Sequence, residues 1–446
     1  MGGSSSDRVA TTSKARRAAV GQGEAPLYTR NFLVACLVHF TGGMSTASFI
    51  LFPLFIARLG GDELLIGQVM GIGAAAAVLT RPLAGHWLDR HGGRRVLLVA
   101  SAVNVVSIAA LLLLDGFSLR LELLFVVHTI AAGALFASYF TYAAHIVPLA
   151  RRNEGVAMFG VAGMLPNGLA PPLGEFLIGR FGFAAFFASA ASFSLASLTL
   201  SYFLVDVRDA EGHAHAARER REHGAGGVAA RIRALLARGE AAIDHGTSAQ
   251  PVRRRVRSLR LALRPELRAV LGATLCFGFG IAALFTFLAP YAEATGRGPV
   301  GPFFLGYALA AIMTRIVGAR LPDRIGPRRV VMPAFLAYGV GLALVTSSSL
   351  PGALIAVGLI CGAGHGYIFP ILSVLVVART PASARGKAMG LYTAMVDLGT
   401  MVGGPVLGAV ARVGYPEMYL VAAGVTWLAL VLLAWFDEPG LVGEFD

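Results

Sequence analysis

A single acidic residue, Asp397, lies in the middle of a long apolar segment. It is the one acid within residues 386–411, with 11 residues before it and 14 after it. A carboxylate at the centre of a bilayer costs about 2.5–3.5 kcal/mol on insertion scales, so it should face water, take up a proton or meet a partner. We expect Asp397 to carry a proton or to bind a cationic group of a cargo molecule. The alternative is a carboxylate that caps a neighbouring helix.

Three histidines lie in other apolar segments: His39 in the first, His128 in the fourth and His365 in the tenth. Histidine titrates near physiological pH and also donates hydrogen bonds. We predict that at least one of them takes part in proton coupling or binds the charge of a substrate. The alternative for each is a hydrogen bond to a backbone carbonyl. The three cysteines lie in apolar runs and indicate neither a disulfide nor a metal site, and no cofactor is expected.

Further polar side chains are candidates for a substrate cavity. Tyr139 and Tyr142 follow His128 at spacings of 11 and 14, which places the three on one helical face. Tyr367 and Asn167 are the other candidates, although a buried asparagine often only bonds across helices. Four aromatic residues of the seventh segment are expected to face lipid or to pack, rather than to bind cargo: Phe277, Phe279, Phe285 and Phe287.

A polar motif occurs twice at a constant offset of 234 residues. The first copy contains Thr80, Arg81, Asp89, Arg90, Gly92, Arg94 and Arg95; the second contains Thr314, Arg315, Asp323, Arg324, Gly326, Arg328 and Arg329. A weaker echo runs from Gly155 and Met158 to Gly386 and Met389. Both copies occur at the same place in each half, so the chain is predicted to contain two parallel repeats about an axis along the membrane normal.

The elements that position these residues are twelve apolar segments. Apolar residues make up 56% of the 446 residues and charged residues only 14%, which excludes a disordered chain, a coiled coil or a disulfide scaffold. Each segment is long enough to cross a bilayer as a helix. They cover about 31–57, 64–84, 96–114, 121–147, 155–178, 184–205, 268–292, 301–317, 330–347, 352–378, 386–411 and 416–436.

The sequence therefore predicts an all-α membrane protein of twelve transmembrane helices in two pseudo-symmetric halves. The predicted halves cover 31–205 and 267–436, between an N-terminal tail (1–30) and a C-terminal tail (437–446). The basic central loop, 206–266, contains 13 arginines and eight acids. Within it, 228–243 is predicted to form an amphipathic helix at the membrane surface.

The basic residues are distributed unevenly between the two sides of the predicted bundle. With the N-terminus inside, the cytoplasmic segments contain 30 Lys and Arg and the external loops five, while Arg81, Arg268 and Arg315 lie at span edges. This asymmetry follows the positive-inside rule and predicts that both termini are cytoplasmic. The formal charge of +13 is then explained by topology, and no nucleic-acid partner is expected.

The segment from Gly85 through Asp89, Arg90 and Gly92 to Arg95 resembles the signature loop between helices two and three of the major facilitator superfamily. The resemblance covers residues 30–436 and implies alternating access. It also implies that the loop around Asp89 acts as a gate. The alternative is that the arginines of this loop serve only to set the orientation of the helices in the membrane. Residues 395–405 resemble the eleventh helix of the drug and metabolite efflux-like branch, which includes sugar-efflux and metallophore-exporting members.

One feature departs from that resemblance. Many proton-driven exporters of the superfamily carry an arginine early in helix four, but residues 121–147 contain none. His128 stands near that place. Coupling through an arginine of this helix is therefore not expected.

Glycines and prolines in two segments should permit close helix approach and movement. We predict that these two helices act as hinges, through Gly168, Pro171 and Pro172 in the fifth segment and Gly399, Gly403, Gly404 and Pro405 in the eleventh.

These patterns favour a secondary transporter in a bacterial cytoplasmic membrane, exporting a small metabolite or drug-like molecule in exchange for protons. The expected partners are that small molecule and membrane lipid, and the expected state is a monomer. Uptake by symport or facilitated diffusion is an alternative. A further alternative is a non-transporting sensor or scaffold that acts through residues 206–266. Catalytic and phosphate-binding motifs are absent, so an enzyme is not expected.

Overall fold

The computed structural model describes residues 26–114, 116, 118–148, 151–206, 265–347, 352–381 and 384–435. Within these ranges the regular structure is helical throughout. Ten helical runs of the described residues, with Glu154–Tyr202 counted as one, are long and apolar enough to cross a bilayer, and Gly301–Ile316 is a shorter apolar helix. The predicted amphipathic helix at 228–243 lies outside the described residues.

The first half contains six membrane-crossing helices. The fifth and sixth form one run, Arg152–Ser201, that is broken at Gly182, where φ is 81°. This backbone conformation favours glycine because a side chain would be strained there. The six are α1 (Arg30–Arg58, with a 3-10 turn at Phe49–Leu51), α2 (Glu63–His91), α3 (Gly93–Leu111), α4 (Leu119–Ile146), α5 (152–181) and α6 (183–201).

The second half repeats this order. Its eighth helix has 16 residues, about 24 Å at 1.5 Å per residue, and is followed by a short helix, Leu321–Ile325. The membrane-crossing helices are α7 (Pro265–Ala294), α8 (Gly301–Ile316), α9 (Pro327–Ser347), α10 (Ala353–Ala378), α11 (Arg385–Ala411) and α12 (Tyr415–Trp435).

The two copies of the motif end their helices in the same way. α2 ends at Gly92 with φ 80°, and the short helix after α8 ends at Gly326 with φ 95°. Past the glycines, Arg94 donates to the carbonyl of Tyr202 (2.8 Å), and Arg328 donates to the carbonyl of Ala434 (2.9 Å). In each half, the third helix thus satisfies a carbonyl at the end of the sixth. The internal repeat is therefore present in the structure as well as in the sequence.

Two helix pairs form the most extensive contacts between the halves: α2 packs against α11, and α5 packs against α8. Small residues line both seams. A Cβ atom at Gly404 would lie 2.5 Å from the carbonyl oxygen of Gly67, and one at Gly168 would lie 2.7 Å from the Cβ of Ala308. The backbones approach this closely only because side chains are missing.

The expectation that the four phenylalanines of α7 face lipid is wrong. Phe277, Phe279 and Phe287 are buried inside the bundle, and Phe285 packs against Tyr307 of α8 with ring centroids 5.7 Å apart. α7 is surrounded by α11, α12, α10 and part of α1, so it has little surface left for lipid. The other expectation, packing between helices, agrees with the structure for Phe277, Phe279 and Phe287, whereas Phe285 also lines a cavity between the two halves.

Candidate functional site

A central cavity of about 310 Å³ lies between the two halves. Its walls are apolar and aromatic, with a few charged and polar groups among them, as is typical of small-molecule sites. The first half contributes His39, Arg81, Phe136, Phe140, Gly160, Gly163, Met164 and Asn167; the second contributes Ile281, Phe285, Tyr307, Arg315, His365, Phe369, Thr393, Val396 and Asp397.

Asp397 of α11 forms an ion pair with Arg81 of α2 inside this cavity. The two side chains are 18% and 23% exposed, so both still touch the open space. Water in the cavity and the opposite charge together reduce the cost of placing each ion within the membrane. Because α2 and α11 belong to different halves, the pair joins the halves at the cavity. It is not a cap on a helix terminus, which was one alternative for Asp397.

Arg315 of α8 occupies the position in the second repeat that Arg81 occupies in the first. It also lines the cavity, but no carboxylate of the described residues lies within ion-pair distance of it. Its Nε atom is buried and has no hydrogen-bond partner among these residues. The two equivalent arginines therefore have different environments.

The histidines fall into two groups. His39 lines the cavity; its Nδ1 lies 3.2 Å from the carbonyl of Phe159, and its ring stacks on that side chain. His365 also lines the cavity, with its Nδ1 2.5 Å from the hydroxyl of Tyr307. His128 lies elsewhere, with its ring 3.6 Å from that of Phe49 in a buried aromatic cluster. Only His39 and His365 can thus contact a molecule in the cavity.

Of the polar cavity candidates, only Asn167 belongs to the lining. Tyr139 is buried behind His39, with ring centroids 4.5 Å apart. The hydroxyl of Tyr142 lies within hydrogen-bond distance of two acceptors, Oδ1 of Asn31 (3.0 Å) and the carbonyl of Val205 near the end of α6 (2.9 Å). Tyr367 faces Gly318, beyond the end of α8. Tyr139 and Tyr142 stand outside the cavity because their face of α4 points toward other helices of the first half.

The motif residues cluster at one end of the bundle, which we call the motif end. There Arg95 lies 4.0 Å from Asp206, and Arg94 and Arg328 also bond within their own halves. The second copy exposes Asp323, Arg324 and Arg329. Gly85 has open space around its Cα, and Arg90 is exposed; the side chain of Asp89 lies outside the described structure. None of these described contacts joins the two halves.

The predicted hinge residues lie at helix contacts. Gly399 and Gly403 face α7, while Gly404 and Pro405 face Gly67 and Gly71 of α2. On α5, Gly168 faces α8, and Pro172 lies against Gly301 at the start of α8. Pro171 lies one residue earlier inside the same helix. The close helix approach predicted for these residues is present, and a hinge function stays a prediction.

Charged contacts join the halves at the end of the bundle opposite the motif. Arg58 donates to Glu293 at 3.1 Å, and Arg412 donates to Asp62. The hydrogen bond from Arg412 lowers the pKa of Asp62 below its usual value, with the backbone amide of Leu65 adding to the effect. Asp62 therefore stays ionised at mildly acidic pH. This end of the bundle is held closed while the motif end lacks such contacts among the described residues.

Glu175 of α5 makes a further contact at this closed end. Its two carboxylate oxygens accept hydrogen bonds from the backbone amides of Val300 (2.5 Å) and Gly301 (2.7 Å) at the start of α8. An acid at a helix N-terminus is stabilised by the unpaired amides and by the helix dipole. Here the acid comes from the other half, so the cap also holds the halves together.

Replacing Glu175 with alanine should loosen this contact. Amide hydrogen exchange at Val300 and Gly301 is expected to accelerate by roughly tenfold or more, since a charge-assisted hydrogen bond contributes about 1.5–3 kcal/mol. Glu175→Gln should have a smaller effect because one acceptor oxygen remains. Glu122→Ala, at the start of α4, serves as the control. Unchanged exchange in Glu175→Ala would show that these amides have another acceptor.

Sequence reasoning did not identify Arg81 and Arg315 as site residues, because both stood at the ends of apolar segments. The signal was nevertheless present in the repeat, which contains both arginines. α2 continues to His91, so Arg81 lies ten residues inside the helix rather than at its edge.

Comparison with known proteins agrees with this architecture. A sequence model of the Major Facilitator Superfamily matches residues 32–312 and 270–444. STM4428, an MFS-type transporter of Salmonella typhimurium, is 25% identical over 393 residues, which cover 86% of this chain and 90% of that protein. YhhS, an MFS-type transporter of Escherichia coli, is 33% identical over 176 residues, or 38% of this chain and 43% of YhhS. The crystal structure of the nucleoside transporter NupG superimposes with a TM-score of 0.69 at 14% identity over 92% of this chain and all of that one, which shows the shared fold alone.

Proposed function

Because the chain belongs to the Major Facilitator Superfamily, we propose that it is a proton-coupled secondary transporter of a small organic molecule in the bacterial cytoplasmic membrane. The observation that supports this most strongly is the ion pair of Arg81 and Asp397, which joins the two halves within the central cavity. A carboxylate that is charged when paired and neutral when protonated is suited to carrying a proton.

The cycle follows from the contacts at the two ends. With the motif end in the cytoplasm, as the distribution of basic residues predicts, the described state is closed outside and open inside. The outer closure consists of the contacts of Arg58, Asp62 and Glu175 with the second half. Rocking of the halves about the cavity would break these contacts and expose Asp397 to the outside. Protonation there would neutralise its carboxylate and release Arg81.

We propose export as the direction, with protons moving inward. The support is the resemblance of residues 395–405 to the efflux-like branch of the superfamily. Each charge moved down the potential provides about 2.3 kcal/mol per 100 mV, enough to drive accumulation against a gradient.

Uptake by symport is a second candidate, and the charge of the cavity favours it. Two guanidinium groups and one carboxylate line the cavity, so neutralising Asp397 leaves its lining more positive. An anionic cargo would then bind best together with a proton, which is the requirement for symport.

Mass spectrometry of medium and cell extract tests the transport function and its direction. Cells expressing the protein are compared with cells carrying an empty vector, with and without a protonophore. A compound enriched in the medium only with the protein, and only without protonophore, supports proton-driven export. Depletion from the medium under the same conditions supports uptake. A profile identical to that of the empty vector over a broad range of metabolites and drugs would contradict the transport function.

A further inference from the structure

The central cavity contains a positive charge for which the described residues provide no counterion. Arg81 is neutralised by Asp397, whereas Arg315 has no carboxylate within ion-pair distance in the described part of the chain. The Nε atom of Arg315 is buried and lacks a hydrogen-bond partner there. The positive-inside rule does not account for this residue, because it lies in the cavity and not in a loop.

The internal repeat shows which group is missing. Arg81 on α2 faces α11, which supplies Asp397; Arg315 on α8 faces α5, which has no acidic residue between 155 and 174. The position of α5 that corresponds to Asp397, within one residue, is Asn167, a neutral amide that lines the cavity. Beside it, an added Cβ at Gly160 would meet only Nη1 of Arg315, at 3.8 Å. Within the described residues the second arginine therefore has open space beside it and no carboxylate partner.

The surroundings of Arg315 favour an acidic group with an apolar body. The hydroxyl of Tyr307 and the ring of His365 form a hydrogen-bonded pair in the same cavity wall, and both side chains also line the open space. The rest of the wall is largely aromatic, from Phe136, Phe140, Phe285 and Phe369. A cavity of about 310 Å³ is at the lower end of the range for small-molecule sites.

We propose that the cargo is a small organic anion, a carboxylic acid with an aromatic or other apolar body, whose carboxylate binds the guanidinium of Arg315. This proposal rests on the proposed transport function and specifies its substrate class; with an anionic cargo, the charge of the cavity favours the symport candidate over export. A guanidinium is matched to a carboxylate because its parallel N–H groups donate to both oxygens. A cationic cargo is disfavoured, since Asp397 already has a cationic partner and the described lining carries excess positive charge.

Thermal unfolding of the purified protein in detergent tests this proposal without knowledge of the natural cargo. The probes are aromatic monocarboxylic acids, each paired with its primary amide and with the amine of the same size; one such set is indole-3-acetate, indole-3-acetamide and tryptamine. A ligand that binds only the folded state raises the Tm. We expect acids to stabilise the wild-type protein and their amides and amines not to do so.

Variants assign this preference to Arg315. Arg315→Gln is expected to weaken acid binding by roughly tenfold or more, as is typical for the loss of a charged hydrogen-bond donor. Arg315→Lys should retain part of the affinity, because it keeps the charge but not the planar donor pair. Arg320→Gln, an exposed position after α8, is the matched control and should bind as wild type. If Arg315→Gln does not fold, the acid affinity of Arg315→Lys relative to wild type still shows whether the guanidinium binds the carboxylate.

The outcomes separate this proposal from the proposed proton coupling. The anion proposal would be overturned if amides or amines raised the Tm as much as the acids do. It would also be overturned if no acid of the panel raised the Tm more than its amide and amine. Equal acid binding in wild type and Arg315→Lys would overturn the role of the guanidinium. If Asp397→Asn bound acids at least as well as wild type yet proved fully proton-coupled, the coupling role of Asp397 would fail while the anion site stood.

Discussion

Asp397→Asn is expected to abolish proton-driven accumulation of cargo and to leave downhill exchange of cargo intact. Asparagine has the size of aspartate but cannot be protonated and deprotonated, so the variant loses the energy of the proton gradient. The accumulation ratio should fall by about 50-fold for each 100 mV of proton-motive force, if one proton moves per cargo. Proton-driven accumulation is measured as uptake of cargo into proteoliposomes with an imposed pH gradient. Downhill exchange is measured as counterflow of cargo in proteoliposomes without a pH gradient.

Matched variants distinguish loss of coupling from loss of folding. Asp397→Glu keeps a titratable carboxylate and should retain part of the coupling, while Glu417→Gln removes an exposed acid at the start of α12 and should behave as wild type. Arg81 loses its partner in Asp397→Asn, but both side chains touch the cavity, so water can solvate the remaining charge. Accumulation by Asp397→Asn equal to wild type would contradict the coupling role and direct attention to His39 and His365.

The sensor hypothesis makes the reverse prediction. It expects function to depend on residues 206–266 and not on Asp397. The sensor hypothesis would be excluded if the protein still transported cargo after removal of much of that segment and if Asp397→Asn lost proton coupling.

The fold could be predicted from sequence because a membrane leaves few solutions. A segment of about 20 apolar residues in a bilayer must satisfy its backbone internally, so each such segment becomes a helix. The repeat then relates the two halves. The predicted segments 155–178 and 184–205 leave a gap that contains Gly182, where the structure has the break between α5 and α6. The pattern did not predict that both helices continue up to this one residue, because that depends on a single backbone conformation.

The sequence indicated those cavity residues that are polar within an apolar segment: Asp397, His39, His365 and Asn167. Asp397 stood out because any acid at mid-membrane requires an explanation. Its partner Arg81 did not, because pairing of α2 with α11 is a tertiary contact between residues 316 positions apart. Helical periodicity placed Tyr139 and Tyr142 on one face but could not tell whether this face pointed into the cavity or into neighbouring helices. It pointed into the helices, as the contact of Tyr142 with Asn31 shows.

Gly404→Val is expected to abolish transport by preventing closure of the outer end. α2 and α11 touch through backbone at this seam, where a Cβ on Gly404 would lie 2.5 Å from the carbonyl oxygen of Gly67 and 3.2 Å from the backbone nitrogen of Gly71. Those atoms cannot rotate away as a side chain would, and overpacking of this kind costs about 1–3 kcal/mol or more. Since the strain falls between the halves, each half should still fold, and the equilibrium should shift toward the state open outside.

Cysteine accessibility in intact cells measures this shift. Thr393 lines the cavity, so Thr393→Cys reports whether a membrane-impermeant thiol reagent reaches it from outside. Cys276 and Cys361 are buried, and only the half-exposed Cys36 needs replacement. Labelling should rise by roughly tenfold or more in Gly404→Val, the population change that about 1.4 kcal/mol produces. Gly390→Val is the matched control, because nothing lies within 4 Å of an added Cβ on the same helix. Equal labelling and transport in the two glycine variants would contradict this prediction. Closure of the end opposite the motif would then depend on other contacts between the halves, such as the cap formed by Glu175.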